Sequence, residues 1–244
     1  MAEAGSVKLR RLVLVAAIAA LGVAAGVLAV NYTGRGSDES DVNQVFEQVR
    51  RTPLVRLVLQ ENPALEARVR QTIEEERLHP TNSGPNRLFQ FGAEVRRQYI
   101  IPALRDCDDA AALDAIMVMS ELVRHLRAAD AETCRQLGQS GIQRPDKLDA
   151  DGAEIFRRAL AAQEGAYLNG KSAVKSRSQP DSTEFRAVLA DAGYTPADFQ
   201  QLANYPKLAA NEACAAMDKL YAAPTSLPPE RGAIVARYLL TVSQ

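Results

Sequence analysis

Nineteen consecutive residues without a charge, Leu12 to Val30 (LVLVAAIAALGVAAGVLAV), constrain this chain more than any other feature. As a helix the run is about 28 Å long, close to the hydrocarbon thickness of a bilayer. Lys8, Arg10 and Arg11 precede it, and Arg35 follows among Asp38 and Glu39. An excess of positive charge ahead of a span keeps that end in the cytoplasm. The sequence therefore predicts a signal anchor in the inner (cytoplasmic) membrane. Residues 1–11 form its cytoplasmic N-terminus, 12–30 cross the lipid bilayer, 31–40 (NYTGRGSDES) are a polar linker and 41–244 are an extracytoplasmic domain. Cleavage near Val27–Ala29, as in a signal peptide, is the alternative, and it exports the same domain. Gly22 and Gly26 form G-x-x-x-G within the span. That spacing lets two helix backbones approach closely and marks a candidate homodimer contact.

The pattern beyond the linker is helical throughout. Asp41 is a candidate cap for a helix in which Val42, Val45, Phe46 and Val49 share a face. Pro53 interrupts it. Asn62 followed by Pro63 opens another helix, since proline at the first helical position gives up no hydrogen bond. A loop covers 79–85, and a helix kinked near Pro102 follows. The stretch from Asp108 to Asp130 is the most apolar of the domain and is expected at its centre, with Met117 and Met119 in the core. Asp130 caps the next helix, Asp181 or Ser182 caps another that ends at Gly193, and Thr195–Pro196 opens a further one. Two more helices are expected at Pro206–Ala222 and Pro228–Val242. The fold class is all-α: one N-terminal transmembrane helix and a multi-helix extracytoplasmic bundle.

Composition narrows the chemistry. With 29 Lys+Arg against 30 Asp+Glu, no basic excess points to nucleic acid. Aromatic residues are 5% and Trp is absent, which leaves few stacking platforms for bases. Residues Gly165 to Ser172, GAYLNGKS, match the phosphate-binding pattern G-x-x-x-x-G-K-S. A working P-loop follows a strand and opens a helix, whereas here the match ends a helical stretch and a basic loop, 169–182, follows. The octet reads as a helix terminus. Glu75 and His79 are spaced to share a metal, but two ligands make no site, and the charged run EEERLH reads as a solvated helix end. The pairs Arg50/Arg51, Arg96/Arg97 and Arg157/Arg158 could converge on an anion; the simpler reading is a solvated surface balanced by carboxylates. No cofactor and no metal is expected.

Three cysteines remain. In an oxidising compartment they allow one disulfide. Cys107 and Cys134 flank the central helix, whose length of roughly 30 Å far exceeds the 7 Å that a disulfide tolerates between Cα atoms. Cys107 also sits among Asp106, Asp108 and Asp109, whose charge disfavours its thiolate. Cys214 lies in an Ala-lined helix that permits close approach. The expected pair is Cys134–Cys214. Three packed, reduced thiols are the alternative. No convergent catalytic set is visible. The sequence is read as a membrane-anchored interaction or scaffolding module of the cell envelope, whose partner is another envelope protein. An envelope-acting hydrolase working through a carboxylate is the alternative.

Overall fold

The structure is a computed structural model that describes residues 39–79, 81, 87–142, 145–178 and 181–242. The apolar run 12–30, with Gly22 and Gly26, lies outside the described residues. Among those that are described, no helix is long and apolar enough to cross a membrane.

The described chain is helical and contains no strand. Helix α1 spans Glu39–Arg50, so helical backbone begins two residues before the expected domain start. Helix α2 is Pro53–Glu61 and α3 is Pro63–Leu78, each with proline in its first turn. Asn62 sits at the N-cap of α3 as its sequence predicts, but its side chain turns back and donates to the Val58 carbonyl at 2.9 Å. The charged end of α3 is not wholly solvated. Glu76 is 6% exposed and accepts from Thr81 N at 2.7 Å, Thr81 Oγ1 at 3.0 Å, and Arg87 N at 2.9 Å. Those donors, with the Arg87 guanidinium, outweigh the burial that would raise its pKa and hold it below the usual carboxylate value. Glu76 thus ties Thr81 and Arg87 to the end of α3.

Helix α4 is Arg87–Val95, followed by a π turn at Arg96–Ile100 and by α5 at Ile101–Asp106. Proline inside a helix lacks an N–H and its ring collides with the carbonyl four residues back. The expected kink near Pro102 takes the form of this wider turn, in which Ile101 N donates to the Arg96 carbonyl five residues earlier.

Helix α6, Asp109–Ala129, is the axis of the domain. It buries Ala112, Ala115, Ile116, Met119, Leu122, Val123 and Leu126, a stripe at helical spacing. Met117 departs from expectation: it is 47% exposed, because two residues along a helix turn a side chain well away from its neighbour's face. Asp108 caps α6 by accepting from Ala111 N at 2.8 Å. Helix α7 is Ala131–Ser140, capped by Asp130 through Glu132 N and Thr133 N. A short 3-10 turn at Pro145–Lys147 leads to α8, Ala150–Lys171. Then come α9, Ser182–Asp191; α10, Pro196–Ala203; α11, Ala210–Ala222; and α12, Pro229–Thr241. Asp181 caps α9. Gly193 takes φ 84°, and Tyr194 N reaches back to the Leu189 carbonyl, closing the terminus. Thr195 and Asp198 form a complete capping box on α10.

Helices α8, α11 and α12 all pack on α6. The last of them is the most enclosed: Val235, Ala236, Leu239 and Leu240 are at most 1% exposed. Burying each large aliphatic side chain contributes about 1.5–3 kcal/mol, which makes this four-helix layer the main stabilising unit.

Candidate functional site

The P-loop-like octet is helix. Gly165 to Lys171 belong to α8, and Ser172 is its C-cap, so the helix takes in the first three residues, 169–171, of the loop expected at 169–182. The Ser172 N–H bonds to the carbonyls of Leu168, Asn169 and Gly170. A phosphate cradle needs several free backbone N–H groups at the positive end of a helix. Here those groups are spent on the helix ladder, and the octet lies at the negative end.

Each polar residue of the octet instead has a structural partner. Tyr167 Oη donates to Glu61 Oε2 at 2.9 Å, and Lys171 Nζ lies 3.0 Å from the same oxygen. Lys171 is therefore a half-exposed, paired side chain on a helix and not part of a free loop. Burial pulls the Glu61 pKa upward, but the bonds from Lys171 and Tyr167 carry it below its ordinary value. Asn169 Nδ2 donates to Asp108 Oδ2, and Asp108 N donates to Asn169 Oδ1, both at 2.8 Å. At Gly170 a Cβ would overlap the Ala103 carbonyl oxygen, so this glycine is what lets α8 cross α5 in contact.

The segment after α8, expected as a free basic loop, is fastened to the acidic α5–α6 corner. Ser176 Oγ donates to Asp106 at 3.1 Å, Arg177 N donates to Asp106 at 2.9 Å, and Arg177 Nη1 to Asp109 at 2.8 Å. Asp109 also takes the buried Arg237 guanidinium from α12. Asp106 is held below its usual pKa by Arg105, Arg177 and Ser176 against the burial that opposes them.

In the three arginine pairs, Arg50, Arg96, Arg157 and Arg158 are each engaged by a group of the protein itself. Arg50 lies 3.4 Å from Glu47, Arg157 Nε bonds Glu154 at 2.9 Å and Arg158 bonds Glu121 at 2.5 Å. Arg96 turns inward and donates from Nη2 to the Leu240 carbonyl at 2.9 Å. Its Nη1 is sealed from solvent without a partner, and burial pushes its pKa down to about 10. This long-range cap on α12 has no signature in the sequence. His125 Nε2 lies 2.8 Å from Asp149 Oδ1, while Asp149 caps α8 through Gly152 N; the histidine braces a helix start. Glu75 accepts from Gln71 at 2.7 Å. Among the described residues no group of three or more His, Cys, Asp or Glu is arranged to hold a metal.

Cys134 of α7 and Cys214 of α11 lie at disulfide distance, with Cα atoms 5.6 Å apart. Both are 0% exposed, and each sulfur faces the Val123 carbonyl of α6. The small residues Ala213 and Ala216 of α11 are buried beside Cys214, in keeping with the close approach expected of that helix. Cys107 is also buried and donates to the Leu104 carbonyl. Burial, rather than the neighbouring aspartates, is the largest cause of its raised pKa, about 11; Arg237 opposes the shift, and Asp108 and Asp109 add to it.

The chain matches no protein family, and no curated protein or solved structure matches it.

Proposed function

We propose that this chain is a membrane-anchored, extracytoplasmic helical interaction or scaffolding module of the cell envelope, held in the inner membrane by residues 12–30. The observation that carries the reading is the sealed Cys134–Cys214 pair at disulfide distance. Such a pair persists in oxidising compartments and is rare in the cytosol. The basic flank of the apolar run, Lys8, Arg10 and Arg11, supports the same orientation independently. The partner is another envelope protein or a second copy joined through Gly22 and Gly26.

The carboxylates favour this reading over a hydrolase. A general acid or base is poised by an environment that raises its pKa toward the working pH. The two carboxylates that stand out, Glu76 and Glu61, are instead held ionised by converging donors. These are the features of clamps.

Crosslinking of the membrane-embedded full-length protein in cells tests the assignment. A crosslinked envelope protein, or a dimer weakened by Gly22→Leu, is expected. Turnover of an envelope polymer that is lost on Glu61→Gln or Glu76→Gln, in variants that remain folded, would replace this reading with the hydrolase.

A further inference from the structure

We infer that this chain reaches its native cysteine pairing through exchange, and that it uses a thiol–disulfide isomerase to resolve a first-formed Cys107–Cys134 bond; the inference rests on the oxidised Cys134–Cys214 pair proposed above. The argument starts from order along the chain. An exported chain emerges N-terminus first, so Cys107 and Cys134 meet oxidant before Cys214 does. They are separated by 27 residues (107 to 134), against 80 for the native pair. Loop closure scales as the −3/2 power of length, so the shorter loop closes roughly fivefold more often in the unfolded chain. The competing event is formation of α6 between them, and a helix within a protein draws most of its stability from tertiary packing, which for α6 comes from helices that follow Cys134 in the chain.

The structure makes that early bond incompatible with the fold. Cys107 ends α5 immediately before α6, and Cys134 lies in α7 immediately after it. The 21 residues of α6 span roughly 30 Å, whereas a disulfide holds Cα atoms within about 7 Å. The bond and the helix exclude each other. Since α8, α11 and α12 pack on α6, a chain bonded 107–134 cannot close its core.

The chemistry balances. A disulfide-bearing oxidant removes two electrons and two protons from Cys107 and Cys134. The isomerase thiolate then attacks Cys134 Sγ, forming a mixed disulfide, and Cys107 leaves as a thiolate that takes up a proton. Cys214, as its thiolate, attacks the same Cys134 sulfur and releases the isomerase thiolate. Exchange involves no net oxidation. Folding then ends it, because all three sulfurs belong to residues with 0% exposure.

The test is oxidative refolding of the reduced full chain in detergent with oxidised glutathione. Samples are quenched by alkylation at intervals and peptide-mapped, with and without an added disulfide isomerase. Early samples should contain the Cys107–Cys134 species at roughly five times the native pair, and the isomerase should speed its conversion several-fold. Cys107→Ala should form Cys134–Cys214 directly, at a rate the isomerase does not change. Appearance of Cys134–Cys214 in the unaltered chain with no Cys107–Cys134 precursor overturns the inference, as does equal isomerase dependence in Cys107→Ala. If that variant fails to fold, mapping of the unaltered chain decides alone. If Cys134–Cys214 never forms, the oxidised pair itself fails, and the compartment reading loses the observation that carries it.

Discussion

Arg96 reaches across the domain to the carbonyl of Leu240, Nη2 to O at 2.9 Å, and so joins residues 144 apart in sequence. Arg96 begins the π turn ahead of Pro102, while Leu240 lies in the last turn of α12. A cation at this point satisfies a carbonyl that the helix cannot, and it meets the negative end of the dipole. Arg96→Ala should lower stability by about 1–3 kcal/mol, since the Leu240 carbonyl is left buried without its donor. Urea titration checks it. A change below a few tenths of a kcal/mol would mean that the cost of burying the guanidinium cancels its bond.

The two glycines of the P-loop-like octet should respond with opposite sign. Nothing lies within 4 Å of a Cβ built at Gly165, so Gly165→Ala should stabilise α8 by about 0.5–1 kcal/mol. Gly170→Ala forces methyl against the Ala103 carbonyl and should cost about 1–3 kcal/mol. Lys171→Ala removes a half-exposed pair with Glu61 and should cost less than about 1 kcal/mol. Thermal melts of the three variants give the order. Magnesium-dependent ATP binding lost with Lys171→Ala would contradict the structural role.

Acid should unfold the domain through its caps and clamps. The Asp198 carboxylate is held near a pKa of about 2, first by Lys219 and then by the Thr195 backbone and hydroxyl. A carboxylate with a depressed native pKa contributes stability above its unfolded value, and that contribution is lost as pH falls through the native one. Stability should therefore decline between about pH 4 and pH 2. Asp198→Asn should be less stable at pH 7 and show a shallower decline across that window. Denaturant titrations at stepped pH measure both; an unchanged slope would remove Asp198 from the account.

The proposed Cys134–Cys214 disulfide would close a long loop between α7 and α11. Reduction, or Cys134→Ala with Cys214→Ala, should cost about 2–4 kcal/mol. Cys107→Ala should cost distinctly less, since it removes one buried sulfur and closes no loop. Chemical denaturation of each protein separates the two cases.

Legibility in the sequence followed the range of the interaction. Asn62–Pro63, Asp130, Asp181, Gly193 and the Thr195–Asp198 box are local devices, and their residues alone mark the helix ends. The central place of α6 follows from its apolar stripe. What escaped depends on partners distant in sequence. Asn169 and Lys171 look like a helix terminus and a loop until Asp108 and Glu61 are beside them. Glu76 lies in a run of charges, and only Thr81 and Arg87 distinguish it from its neighbours. Arg96 and Arg97 are adjacent and identical in sequence, yet the π turn sends one inward and leaves the other exposed. Met117 is set on the surface by helix phase, which composition does not reveal.

The claim that this domain works outside the cytoplasm is tested most directly by topology. A reporter that is active only outside the cytoplasm, fused after Gln244, should be active in intact cells, and a reporter active only in the cytoplasm should be silent. Moving Lys8, Arg10 and Arg11 to the far side of the apolar run should weaken that bias. A silent external reporter with an active cytoplasmic one, in the unaltered chain, would contradict the account.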